Sequence, residues 1–346
     1  MQFKPKCLTT ALGSLPFKDV DKAIDFVIKY FSNVPFWPQL PTKSYLEGMS
    51  IQFSENIPII ELEDKNLVLK EDISEKVLEE FYTKVINKDF EYFSISRDYA
   101  VGFHKIIEYL EKGLIKSSIL KCHVTGPFTF SASIKQSKNK KIIASQEFLQ
   151  IITSALYLKA LWQIKKIKSF GKEIILFFDE PYLACFGSSL TPLDRNNVVA
   201  TLRELVNPLK EEGSCLIGAH CCGNTDWPIF IESGFDIISF DAFNYLERVM
   251  LYTKELKAFL LSGGILALGI VPTQEFDCLK IELDLLLKKI EEGLLKFSAK
   301  GIDQSLVLEQ TLLTPSCGMG TLNEDVTIKI SNILEGLSFR LKKKYF

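Results

Sequence analysis

Several things are scarce in this sequence, and each scarcity excludes something. There is no surplus of either charge: Lys plus Arg number 41 and Asp plus Glu 43, for a net charge of −2. A chain dedicated to nucleic acid carries a basic surplus, so a nucleic-acid partner is not expected. No uninterrupted apolar run approaches the ~18 residues of a membrane span. The most apolar stretch, residues 258–272, is broken by Gly263, Gly264 and Gly269 and ends at Pro272, so no membrane partner is expected either. The opening residues MQFKPKCLTT hold no apolar signal core, which makes the cytoplasm the expected compartment. Cysteine, 8 in 346 residues, is too sparse for a disulfide scaffold, and reduced thiols are expected. Histidine is scarcer still: His104, His123 and His220 are the whole set.

What is present is an ordinary globular composition, 47% apolar and 24% charged, which rules out a disordered or fibrous chain. Short apolar runs alternate with longer amphipathic ones, the βαβα pattern of a parallel sheet covered by helices. Candidate strands are Cys7–Gly13, Asn33–Trp37, Ile119–Thr125, Glu173–Phe178, Cys215–Ala219, Phe235–Phe240, Gly264–Ile270 and Ser305–Leu312. Eight such strands predict an α/β fold of the (β/α)8 TIM-barrel class, a single domain over residues 1–346. An open doubly wound sheet is the alternative. Residues 143–170 carry apolar side chains at helical spacing and stop at Gly171, which predicts a long helix. Residues 42–100 are too long for a barrel loop and read as an insertion after the second strand. Two apolar runs around Asp64-Lys65-Asn66 predict a β-hairpin within it.

In a barrel the chemistry sits at the C-terminal ends of the strands. Gly13-Ser14, Pro38-Gln39, Thr125-Gly126-Pro127, Asp179-Glu180-Pro181, His220-Cys221-Cys222, Asp241, Pro272-Thr273 and Pro315-Ser316-Cys317-Gly318 follow the successive runs. An imidazole, several thiols and carboxylates therefore collect at one end. His220 and Cys222 are two apart, so on an extended strand end they share a face, with Cys221 turned the opposite way. A tetrahedral Zn²⁺ site needs further ligands from elsewhere, and Cys317 and Asp241 at other strand ends supply them. The remaining cysteines, Cys7, Cys122, Cys185, Cys215 and Cys278, read as small buried apolar residues. His104 reads as a surface or capping residue and His123 as a satisfied core histidine. Two acids straight after the apolar run IILFF are costly unless they meet solvent, a cation or a ligand. Phe36, Trp37, Phe128, Phe130 and Tyr182 flank the strand ends and read either as the lining of a broad apolar mouth or as ordinary packing.

TTALGSLP, TGPFTF, FFDEP, AHCCGN and PSCGMG occur in that order. Together they resemble the C-terminal catalytic barrel of cobalamin-independent methionine synthase. That barrel's superfamily also holds uroporphyrinogen decarboxylase and zinc methyltransferases that take methyl groups from corrinoid proteins. The resemblance implies zinc on His220, Cys222 and Cys317, with Asp241 standing where the family has a Glu ligand. It implies that Gly13 and Ser14 hold an amino-acid carboxylate and that Asp179 holds the amino group. Gln39 stands where the family's second strand ends in a Glu that contacts the amino acid. No histidine follows the seventh strand, where the family has a catalytic one. The implied activity is zinc-dependent methyl transfer to a thiol, homocysteine above all. With no second barrel in view, the expected donor is methylcobalamin, free or on a corrinoid protein, rather than a folate. The two competing readings are a uroporphyrinogen decarboxylase-like enzyme and a non-catalytic zinc- or corrinoid-binding protein. The first would need a cluster of basic groups for a polycarboxylate, and the chain has only Arg97, Arg195, Arg203, Arg248 and Arg340.

Overall fold

The computed structural model of the chain describes residues 3–70, 72–135, 145–188, 191, 193–213, 215–274 and 281–346. Seven strands form one parallel sheet: β1 (Leu8–Thr9), β4 (Ile119–Thr125), β5 (Glu173–Asp179), β6 (Cys215–Cys221), β7 (Ile237–Phe240), β8 (Ile265–Val271) and β9 (Thr311–Pro315), while β2 (Ile60–Glu63) and β3 (Asn66–Leu69) make a separate pair. The order in the large sheet is β1-β9-β8-β7-β6-β5-β4. Nearly every residue of β4, β5, β6 and β8 is buried, as expected of parallel strands covered on both faces. The candidate strands from Ile119 to Ile270 match β4–β8 to within two residues.

The second candidate strand, Asn33–Trp37, does not form a regular strand. Pro35 and Pro38 have no N–H to give a ladder. The segment is instead tacked to both edges of the sheet. Lys121 N–H donates to Pro35 O at 2.7 Å on the β4 side; Gln39 N–H donates to Gly13 O at 3.1 Å and Leu15 N–H to Gln39 O at 2.9 Å on the β1 side. The sheet thereby curls round on itself, consistent with a TIM-barrel-like fold.

The eighth strand begins later than the candidate range Ser305–Leu312. Residues Gln304–Glu309 are a helix, capped by Asp303, whose carboxylate accepts from Leu306 N–H at 3.0 Å, and the strand begins only at Thr311. The apolar run from Leu306 to Leu313 covers both elements, so composition alone does not divide it. At the first strand, ladder pairing with β9 is confined to Leu8 and Thr9, and Thr10 N–H still reaches Leu313 O at 3.1 Å.

Period-2 alternation then sets the interior. Ile119, Ile175, Leu216, Ile237, Ile265 and Leu312 point inward near the strand starts and pack with Phe177 and Ala267 as one apolar plug. The opposite faces of the strands pack under the helices. The helix Gln146–Lys168 is buried along most of its length, matching the expected one; residues 143 and 144 of that expectation lie outside the described residues. Ser145 caps its start through Phe148 N–H.

Within residues 42–100, β2 and β3 pair antiparallel from Ile60↔Leu69 to Glu63↔Asn66. The turn residues Asp64 and Lys65 both have positive φ, 46° and 63°, the backbone of a tight two-residue hairpin. This segment is anchored by a buried acid: Glu47 accepts from Leu40 N–H at 2.7 Å and from Val101 N–H at 3.2 Å. Among the described residues, no helix is long and apolar enough to cross a membrane.

Candidate active site

The inward parity that builds the apolar plug places polar side chains one to three layers further up. On β4 these are Lys121, His123 and Thr125, on β5 Asp179, on β6 His220, and on β7 Ser239. A cavity of about 360 Å³ opens above them. Gly13, Ser14, Gln39, Asp179, His220, Cys222 and Cys317 all line it, so the structure brings together every site residue expected from the sequence except Asp241. His123 and Met49 line it as well.

His220, Cys222 and Cys317 each offer a ligand atom, and the three atoms lie within 4.8 Å of one another. His220 is oriented by Ser239, whose hydroxyl is 2.9 Å from Nδ1. Its Nε2 is buried and has no partner. Two sulfurs and one imidazole nitrogen are a donor set that suits Zn²⁺, and the orphaned Nε2 faces the same group, so the residues fit such an ion. The thiols are coupled. A hydrogen bond with Cys317 pulls the Cys222 thiol down, while that same bond and burial push Cys317 up. Cys317 sits on a loop fixed from two sides: Ser316 N–H donates to Val271 O at 2.8 Å, and Met319 N–H to Ser14 O at 3.1 Å.

Asp241 stands apart from this group. It caps the helix Ala242–Val249, and its two oxygens accept from the backbone N–H and side-chain amide of Asn244 at 3.0 and 2.7 Å. Its side chain reads as a helix cap.

The two acids after β5 divide their labour. Glu180 is fully buried and satisfied, accepting from Phe128 N–H, Thr129 N–H and the Thr129 hydroxyl at 3.0, 2.8 and 2.7 Å. Burial nonetheless pushes its carboxyl up to about 7. Asp179 is aimed into the cavity, and its Oδ1 is buried without a partner. Burial raises its pKa, opposed by His220 and by Lys121 beneath.

Gly13 has φ +148°, and a Cβ there would lie 2.7 Å from the His123 ring. Ser14 Oγ accepts from Gly320 N–H at 3.3 Å, which ties the first strand end to the Cys317 loop. Gln39 turns its amide toward Gln52, donating to Oε1 at 2.9 Å.

Two side-chain expectations need correction, at His123 and at Cys185. His123 is not a satisfied core histidine: both ring nitrogens are buried without partners, and the ring lines the cavity. Its inward parity with Thr125 and Lys121 was the available signal. Of the two readings of the flanking aromatics, packing holds: Phe36, Trp37, Phe128 and Phe130 are buried core residues and Tyr182 is half-buried, and among the described residues no Phe, Tyr or Trp lines the cavity. Cys185 is exposed, while Cys7, Cys122, Cys215 and Cys221 are buried as expected. Cys278 lies outside the described residues. His104 lies on the helix Val101–Glu111, half-buried, with Nε2 2.8 Å from Ile95 O.

No protein-family model matches the chain, and no curated protein does. Among solved structures, a B12-independent methionine synthase from Shewanella sp. W3-18-1, in complex with selenomethionine, is similar at 18% identity and a TM-score of 0.48, over 69% of this chain and 67% of that one. A broad-specificity endoglucanase from Clostridium longisporum is similar at 10% identity and a TM-score of 0.31, over 69% of this chain and 86% of that one. These identities and scores are low.

Proposed function

We propose that this protein is a zinc-dependent methyltransferase whose acceptor is a small amino-acid thiol, homocysteine first among them. The observation that carries this reading is the convergence of His220 Nε2 and the Cys222 and Cys317 sulfurs within 4.8 Å at the wall of a cavity that Asp179 also lines. Three protein ligands leave a coordination position for an incoming thiol. Zinc bound there would lower the thiol pKa and make sulfur a nucleophile at neutral pH.

The chain's own residues do the rest. His220 is held in the ligating tautomer when its Nδ1–H donates to Ser239. Asp179 offers a desolvated carboxylate oxygen to a cationic group of the acceptor. The turn at Gly13-Ser14 and the loop at Gly318-Gly320 close the side of the cavity nearest Cys317. The acceptor sulfur forms a bond to the methyl carbon as the bond from that carbon to its donor breaks. The bonding pair leaves with the donor, and the thiol proton is lost to solvent.

No Lys or Arg side chain lines the described cavity. That suits neither a porphyrin polycarboxylate nor a polyglutamylated folate, and it keeps methylcobalamin, free or protein-bound, as the proposed donor. The test is methionine formation by the zinc-loaded protein from L-homocysteine, with methylcobalamin and methyl-tetrahydrofolate in parallel. Methionine from methylcobalamin is expected. Methionine from the folate alone would overturn the donor, and none from either would overturn the function.

A further inference from the structure

His123 is a histidine that the fold buries and then leaves unsatisfied. It is 2% exposed, and neither ring nitrogen has a hydrogen-bond partner. Leaving a buried polar group unpaired is costly, so a built site of this kind calls for a ligand. The ring's position is enforced from several sides. Trp37 stacks on it at 3.8 Å with an interplanar angle of 20°, and Phe53 meets it edge-on at 6.2 Å. Trp37 is itself fixed by its indole N–H, which donates to Gln163 Oε1 at 2.9 Å, and Gln163 in turn donates to His123 O at 3.1 Å. On the remaining side Gly13 has no side chain, and any Cβ there would collide with the ring.

Burial, together with the Lys121 cation below, holds the imidazole neutral. A neutral imidazole carries one N–H donor and one lone pair. Asp179 Oδ1 is a second buried, unsatisfied atom in the lining of the same cavity. The two sit on adjacent strands in the same inward parity, His123 opposite Phe177 and Asp179 two residues on. A carboxylate oxygen and an imidazole lone pair in one desolvated cavity are both satisfied by a single group with several donors and a positive charge, a primary ammonium.

We propose that His123 is a contact residue for the α-amino group of the acceptor, sharing it with Asp179, and that it makes the cavity selective for amino-acid thiols over thiols without an amino group. This deepens the function proposed above and rests on it. The structural alternative is a stacking ring that merely fills space beside Trp37.

The test compares L-homocysteine with 4-mercaptobutyrate, which keeps the thiol and carboxylate and lacks the amino group. Binding of each to the zinc-loaded full chain is measured by calorimetry, with metal content recorded for every variant. The wild type is expected to prefer homocysteine by about tenfold or more, the worth of a hydrogen bond to a charged group. His123→Phe, which keeps a ring on Trp37, should lose about tenfold or more in homocysteine affinity and leave 4-mercaptobutyrate within about twofold. His123→Asn, which keeps an acceptor atom, should fall between the two. Equal losses for both ligands in both variants, or no loss in either, would overturn the assignment of His123 while leaving the thiol site standing. A wild type that binds neither thiol would overturn the thiol site, and the assignment with it.

Discussion

Asp179 and His220 are register partners across β5 and β6, and each presents one buried, partnerless atom, Oδ1 and Nε2, at the wall of the same cavity. Such a pair is costly in an empty protein and natural in one that binds something between strands. The imidazole faces the two sulfurs, while the carboxylate faces the space where an acceptor would lie. In the proposed reading one layer of the interior would carry a metal ligand and a substrate contact side by side.

The metal set is testable by stoichiometry. The purified protein should hold about one Zn²⁺ per chain. Cys222→Ser and Cys317→Ser should each abolish tight binding, whereas Cys7→Ser, at a buried thiol that donates to Leu308 O and lies outside the metal-binding group, should not. Elemental analysis after dialysis reads this directly, and full occupancy in Cys317→Ser would contradict the site.

Asp241 gives a second, separable outcome. Its carboxylate is spent on Asn244. Asp241→Ala is expected to keep the metal and to cost about 1 kcal/mol of stability, the usual loss of a helix cap. Loss of zinc with an unchanged melting temperature would instead make it a ligand.

Gly13 is required by its neighbour. Gly13→Ala would press a methyl group onto the His123 ring in a backbone conformation that L-residues avoid, at roughly 2 kcal/mol. A lowered denaturation midpoint with weaker acceptor binding is expected. Unchanged values in both would show that the ring has room to move.

Glu47 makes stability depend on pH. Burial pushes its carboxyl from the ordinary 4.5 up to about 7. The folded protein therefore holds a proton that the unfolded chain releases above about pH 4.5. The stabilisation is complete below that value and is lost as pH rises toward 7, a change of about 3 kcal/mol for this one group. Glu180 acts in the same direction. Denaturant unfolding between pH 4.5 and 7.5 should show stability falling with pH, and Glu47→Gln should flatten that fall. An equally steep fall in the variant would remove Glu47 as its source.

Much of this architecture is legible before any coordinates. Continuous apolar runs mark β4 to β8, because parallel strands buried on both faces need no alternation. The His220-x-Cys222 spacing carries its own geometry, since two residues along a strand return to one face. Illegible were the features for which the residue types alone allow two outcomes. Asp241 looks like a ligand at a strand end until Asn244 takes both oxygens. His123 looks like core until the inward parity of β4 is set beside an empty neighbour at Gly13. The division of Gln304–Glu309 from β9 turns on one cap at Asp303.

The proline-bearing segment at residues 33–39 has a consequence for motion. From β4 to β8 the sheet is joined by regular parallel ladders, but here it is a seam held by scattered bonds: Thr10 Oγ1 to Val34 O at 2.9 Å, the Trp37 indole to Gln163, and single bridges at Phe36 and Gln39. Few backbone bonds must break to open it, so its amides should exchange with solvent at a free-energy cost well below that of global unfolding. The seam carries Gln39 and Trp37 and borders His123 and Gly13, so a ligand lodged in the cavity would hold both of its lips at once. Slowed exchange at Phe36, Trp37 and Gln39 on ligand binding, with β5 and β6 unaffected, would reveal the barrel as a vessel that breathes on one side only.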